Sequence, residues 1–379
     1  MDVLTSDLAV LHTIKDTRYL NPRIHVPKEG QLYKLAFEYS QDPLLHHRFE
    51  DLFRVSVHVF DVLLVLIEDH PIFHNNSNNP QAPVHEQLQV LLYQMGRYGN
   101  GASITDVAHI SGILEGSVEN FTDRCLTAIE ALHDDFIHPL TDEEKEVEKQ
   151  WIETHLGFGG LWREGYMMYD GTIVVLHWKP ALDREGYYTR KANYGLNVQI
   201  GNVPSSLRVV DYCTGFTGAA HDASAFEYTT ASCFPELLFQ GEEFAWADSA
   251  YPVGVLIIPV HRQPASREPR NAYFDRYVSG IRVHSEHCMG ALKCRFQCLR
   301  GLRADITSIE DHRKVEGPKT HSNFYSTHSG EQDDHQLGVQ TRVENGDGSS
   351  ELIMEDQAGK LKRDRLRDQL IEVWGKIFN

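Results

Sequence analysis

Four acidic residues stand where a carboxylate is costly or conspicuous. Asp170 interrupts the apolar run "YMMYDGTIVVLHW", Asp248 ends the apolar stretch "FAWADSAYP", and Asp222 follows His221 in "GAAHDAS". Glu286 heads "SEHCMGALKCRF", with Lys293 and Arg295 about two helical turns on. An ionised Asp inside an apolar strand costs several kcal/mol unless it is paired. A salt bridge, a hairpin bend at Asp170-Gly171 or an exposed strand end would each accommodate Asp170. So would a cation held in a cleft. Convergent carboxylates repel unless positive charge lies between them, and Mg²⁺ or Mn²⁺ takes oxygen ligands of this kind. Two such ions, roughly 4 Å apart, activate a water or hydroxyl and stabilise the leaving oxygen of a phosphodiester. That chemistry needs no nucleophilic Ser, Cys or His.

Other constellations are weaker. His287, Cys288, Cys294 and Cys298 contain no Cys-x-x-Cys pair of the zinc kind. "GNGAS" and "GFTGAA" lack the Lys-Ser/Thr that completes a phosphate-binding loop.

The elements that would position the carboxylates can be read from hydropathy. From about Pro43 to Gly99 apolar residues recur at helical spacing, broken by the polar loop "HNNSNNPQAP". The next stretch predicts a short helix, a turn at Ser111-Gly112 and a longer helix, packed through Val107, Ala108, Ile113 and Val118. That layout suits a helix-turn-helix, and equally a plain helical bundle. Glu115 and Glu119 at the start of the second helix would repel phosphates, leaving Asn120 and Arg124 as candidate contacts. From about Tyr166 the period changes to that of strands, and helical spacing returns near Ser285, which together predict an α/β or α+β catalytic domain.

The expected organisation is an N-terminal segment (1–42), a helical, helix-turn-helix-like domain (43–155), a strand-rich catalytic domain (160–303), a polar, disordered segment (304–358) and a C-terminal amphipathic helix (359–379). In that last helix Leu366, Leu370, Val373, Trp374 and Ile377 share one face.

The 379 residues carry a formal charge of -18. This argues against indiscriminate nucleic-acid binding, which requires broad basic surface, but is compatible with a local basic groove. No run approaches the roughly 20 apolar residues of a membrane span. The first residues, "MDVLTSDLAVLHTIKD", predict no secretory leader. Six cysteines without a paired framework fit a reducing compartment, cytosol or nucleus.

Taken in order, "YDGT", "YYTRKANYGLNVQI", "GAAHDAS", "WADSAYP" and "SEHCMGALKCRFQCLRGLR" resemble the successive blocks of PIF/Harbinger-type DDE transposases, a group that includes the Harbinger-derived nucleases. The similarity runs over about residues 50–314. It implies an RNase H-like catalytic domain behind the helical one, with metal-bound carboxylates (Mg²⁺ or Mn²⁺) cutting duplex DNA at transposon ends. Matched position by position, Asp170 is the first Asp, Asp248 the Asp of the Asp-Ser-x-Tyr-Pro block and Glu286 the closing Glu. Asp222 is a fourth metal ligand or a support. Arg190, Lys191, Lys293 and Arg295 are the expected DNA phosphate contacts. The resemblance also implies a separate Myb-like DNA-binding partner and nuclear localisation (with or without a cytoplasmic pool); the sequence leaves the oligomeric state open, a homo-oligomer among the options. Two departures stand out. Ala250 replaces the usual Gly of the Tyr-Pro turn, and the chain turns polar after "EDHRK" where relatives continue into an apolar helix. A domesticated or decayed, non-catalytic copy acting as a DNA-binding or protein-interaction module is therefore the alternative, and a metal phosphohydrolase acting on small substrates a third reading.

Overall fold

The computed structural model describes residues 30–75, 78, 80–315, 319–320 and 356–374. Among the described residues the first longer helices are α1 Leu32–Gln41, α2 His46–Phe53, α3 Val57–Ile67, α4 Val84–Met95, α5 Ile104–Ser111 and α6 Glu115–Glu130. Local chemistry starts and stops them. The Ser56 hydroxyl accepts from the Val59 amide at the head of α3, and Ser103 accepts from Asp106 at the head of α5. Gly112 ends α5 in the left-handed region, at φ 67°, where a glycine is unstrained. Leu114 precedes α6 without a side-chain cap.

One core joins Leu32, Phe49, Phe53, Phe60, Leu88, Val107, Ala108, Val118 and Cys125, with Ile113 packed against it. The helical unit thus starts at α1, earlier than the boundary at residue 43 expected from hydropathy. The reason is that α1 buries Leu32 and Ala36 completely in the helical core.

Next comes α7, Asp142–Leu156, opened by a reciprocal cap between Thr141 and Glu144. Hydropathy groups α7 with the preceding helices, but its buried residues Ile152 and Leu156 pack with Trp162, Met168, Trp246 and Phe274. It is a covering helix of the sheet. The buried Lys145 ammonium, 2.9 Å from Glu243, fastens it to the loop before β4.

The strands are β1 Met167–Val175, β2 Gly195–Asn202, β3 Val209–Thr217, β4 Ala245–Ala247, β5 Ile257–Pro259 and β6 Lys319–Thr320. Their order is β5-β4-β1-β2-β3-β6. β1, β2, β3 and β6 are successively antiparallel, whereas β4 and β5 run parallel to β1. Besides a few single-turn helices, the described residues form α8 Asp222–Phe226, α9 Pro269–Arg295, α10 Ile309–Val315 and α11 Gln357–Trp374.

Strand alternation divides β1 between two cores. Met167 and Tyr169 face one side, with Val203, Val210, Phe226 and Tyr251. Met168 faces the other, with Trp246, Phe274, Val278 and Ile281, where α7, α9 and α11 pack. Asp170 therefore points to the α9 side. Packing continues past residue 303, where polarity alone predicts disorder. Ile306 is buried with Leu176 and Tyr187, and β6 pairs with β3. Residues 316–318 and 321–355, the rest of that expected segment, lie outside the described residues.

α11 docks through Leu366 and Leu370, both fully buried, and the Trp162 indole donates to the Leu366 carbonyl at 2.8 Å. Its buried face is narrower than the sequence predicts, because Val373 is exposed. Ile377 and the Trp374 side chain lie outside the described residues. Among the described residues no helix is long and apolar enough to cross a membrane. Because Leu370 fills the core beneath β5 and α9, Leu370→Ala is expected to cost about 2–4 kcal/mol in urea unfolding. A loss under about 1 kcal/mol would mean that α11 contributes little to the core.

Candidate active site

β1 is continuous through Asp170, which pairs with Ile200 of β2. Asp170-Gly171 is thus no hairpin bend. On the other flank, β1 and β4 pair Tyr169 with Ala247 in parallel register. The next residue of each strand is an aspartate, Asp170 on β1 and Asp248 just past the end of β4. Paired residues of parallel strands present their side chains to the same face, so the two carboxylates come side by side over α9.

The turn after β4 holds Asp248 in place. Its Oδ1 accepts from the Ala250 amide at 2.7 Å, and Arg262 donates to the carbonyls of Ser249, Ala250 and Tyr251. Ala250 is accommodated without positive φ, so the absence of glycine there leaves the backbone unstrained.

Electrostatics report the convergence. Burial first, then the Asp248 and Glu286 charges, push the Asp170 carboxyl up to about 6, while Arg282 and the Gly171 amide oppose the rise. The buried Tyr251 phenol is pushed up by burial and then by the charges of Asp170, Asp222 and Asp248.

Glu286 is not at the head of a helix, as the sequence implies, but deep within the 27-residue α9, which begins at Pro269. The polar stretch before Ser285 conceals the helix start, since α9 buries only one residue per turn or so. Glu286 is exposed and pairs with Arg282, one turn earlier, at 2.9 Å.

Asp222 lies on the opposite face. A Cβ built on Gly171 would meet Asp222 Oδ1 at 2.3 Å, and Gly171 and Asp170 point to opposite sides of β1. That oxygen accepts from Asn197 Nδ2 at 2.9 Å and from Gln199 Nε2 at 3.0 Å, and Gln199 in turn accepts from the Tyr251 hydroxyl. The arrangement is that of a support beneath the β1–β2 pair. Sequence reasoning missed Asn197, Gln199 and Arg282. The signals were two amides spaced by two in a mostly apolar strand, and an Arg placed i−4 from Glu286.

The four expected phosphate contacts differ in exposure and in the partners they hold. Arg190 is exposed and bonds His221 Nδ1. Lys191 and Arg295 are exposed. Lys293 is half-buried, and its ammonium donates to Thr172 Oγ1 at 2.6 Å and to the Ile173 carbonyl at 2.7 Å. Burial, with Lys191 and Arg300 nearby, lowers its pKa. Two of its three N–H groups are thus spent on tying α9 to β1, which leaves one for any phosphate.

Asp170 and Asp248 offer hard oxygen donors suited to Mg²⁺ or Mn²⁺, and their mutual repulsion is what such an ion would relieve. Glu286 could join them once its pair with Arg282 opens. Among the described residues no three His, Cys, Asp or Glu side chains already stand together as a metal site.

The sign of the Asp170 shift gives a test in the metal-free protein. Its pKa is 3.8 in the unfolded chain and about 6 when folded. The folded state therefore binds more protons between about pH 4 and 6, and Asp170 costs stability increasingly as pH rises through that window. Asp170→Asn should stabilise the metal-free protein at pH 7.5 by on the order of 1–2 kcal/mol, with the gain vanishing near pH 4. Urea unfolding at both pH values checks this; a gain equal at both would exclude the carboxyl's ionisation as its source.

No curated protein and no solved structure matches the chain. A family model does. Residues 169–315, from β1 through α10, match the model of the DDE superfamily endonuclease, which supports a DDE-type transposase family and a nuclease function for this part of the chain.

Proposed function

We propose that the protein is a divalent-metal-dependent DNA endonuclease of the PIF/Harbinger transposase type, acting at transposon ends. The observation that carries this reading is the in-register placement of Asp170 and Asp248 on one sheet face, with Glu286 of α9 within electrostatic reach. An antiparallel β1–β3 meander with β4 and β5 added parallel to β1 supports an RNase H-like reading of the sheet. Bound Mg²⁺ or Mn²⁺ would supply the positive charge that activates a nucleophilic water or hydroxyl and stabilises the leaving oxygen. The chain's own part is to hold two oxygen ligands rigidly on paired strands and to bring a third from a helix. Asp222 supports β1 and β2 from behind. Lys191 and Arg295 are exposed cations for the DNA backbone, with Arg190 beside the Asp222 loop.

The acidic head of α6 and the net charge of -18 favour delivery to duplex DNA and to the nucleus by a Myb-like partner. A non-catalytic interaction module is the second reading, and the Arg282–Glu286 pair favours it because it withholds the third carboxylate.

The test is nicking of duplex DNA bearing candidate terminal repeats, with Mn²⁺ or Mg²⁺ and a Myb-like partner present. Asp170→Asn, Asp248→Asn and Glu286→Gln should each lower the rate about 100-fold or more, since each removes a ligand oxygen's charge from the transition state. Asp222→Asn should retain more activity than any of the three. A folded wild type that cuts nothing under these conditions would establish the non-catalytic reading.

A further inference from the structure

Arg282 is the one residue at the site for which neither the family resemblance nor the fold supplies a role. It sits one turn before Glu286 on α9, with 17% of its side chain exposed against 60% for Glu286. The cation is thus the inner partner and the carboxylate the outer one. Glu286 leans on Arg282 with its Oε1 2.9 Å from Nη2. The Nε of Arg282 is buried and has no hydrogen-bond partner. Buried guanidinium groups that serve packing alone normally have their donors satisfied, because an unmet donor costs about 1–3 kcal/mol. Arg282 tolerates that cost beside carboxylates: it pairs with Glu286, and after burial it is the largest charge acting on Asp170. The other cation close to Asp170, Lys293, already donates to Thr172 and Ile173.

We propose that Arg282 is the built-in counter-ion of the metal-free site, a guanidinium that competes with a divalent cation for Glu286 and for the charge of the Asp170–Asp248 pair. Metal loading then requires the Arg282–Glu286 pair to open, which releases Glu286 as the third ligand. The same step frees a guanidinium beside the metal site, where a DNA phosphate is the available anion. The inference deepens the proposed function and rests on Asp170 and Asp248 as the metal-binding residues.

The experiment measures Mn²⁺ binding by the full chain, without DNA, by electron paramagnetic resonance of the free ion. Thermal melting with and without Mn²⁺ accompanies it. Arg282→Gln should bind Mn²⁺ about five-fold more tightly than wild type or better, the upper range for a partly exposed ion pair. Its metal-free form should melt lower than wild type and gain more from Mn²⁺, because the carboxylates lose their counter-ion. Arg282→Lys should stay near wild type. Should Arg282→Gln fail to fold, Arg282→Met keeps the aliphatic stem and serves the same comparison. Binding unchanged or weakened by removal of the guanidinium, while Asp170→Asn abolishes it, overturns the role of Arg282 and leaves the metal site standing. Tighter binding that survives when Asp170→Asn is added to Arg282→Gln overturns both, because the ion would then lie elsewhere.

Discussion

Two aspartates standing side by side on neighbouring parallel strands, on one face of a sheet, are the constraint around which this structure is arranged. Parallel pairing of Tyr169 with Ala247 brings Asp170 and Asp248 together. Like charges at that spacing oppose folding unless burial is partial, a proton is retained or a cation intervenes. All three appear here. Asp170 is only partly buried, its carboxyl is pushed toward the protonated form, and Arg282 lies nearby. The energetic penalty falls on the folded state, and a bound divalent cation would offset it. Carboxylates held together in this way give the site an electrostatic reason to bind a cation.

The surrounding fold supplies the rigidity this repulsion demands. α9 is tied to β1 by Lys293, which donates to Thr172, two residues from Asp170, and to the sheet by an aromatic core of Trp162, Trp246 and Phe274. From the other face, Asp222, Asn197, Gln199 and Tyr251 form a hydrogen-bonded layer directly beneath Gly171. Only a residue without a side chain at position 171 lets that layer approach the backbone so closely. The Asp-Gly of β1 thus joins two opposite requirements, a charge on one face and an empty space on the other.

The helical unit in front has its own core, and α6 presents Glu115 and Glu119 at its head. It touches the catalytic body where Arg303 donates to the Gly99 carbonyl and Phe296 packs against the helices. On the function proposed above, a chain this acidic leaves attraction to DNA to a few cations near the site, and a bound divalent ion would offset the repulsion between the site's carboxylates and phosphate.

Much of this was written in the residue order. The apolar run around Asp170, the stretch ending at Asp248 and the alternation of β2 determine strands, and the order of their motifs points to the DDE endonuclease superfamily that residues 169–315 match. Capping residues such as Ser56, Ser103 and Thr141 mark helix starts because their hydroxyls satisfy amides only a few residues away. What the linear text did not determine is which of the four carboxylates share a face. That depends on strand register and on the parallel partner of β1, a contact between segments far apart in the chain. Tertiary structure alone placed Asp222 behind the sheet, lengthened α9 so that Glu286 falls in its interior, moved α7 from the helical unit to the sheet, and set Arg282 beneath Glu286. Local sequence carries hydrogen bonds and periodicity, which act over one or two turns; the sharing of a face is decided by packing between elements, which acts across the whole body.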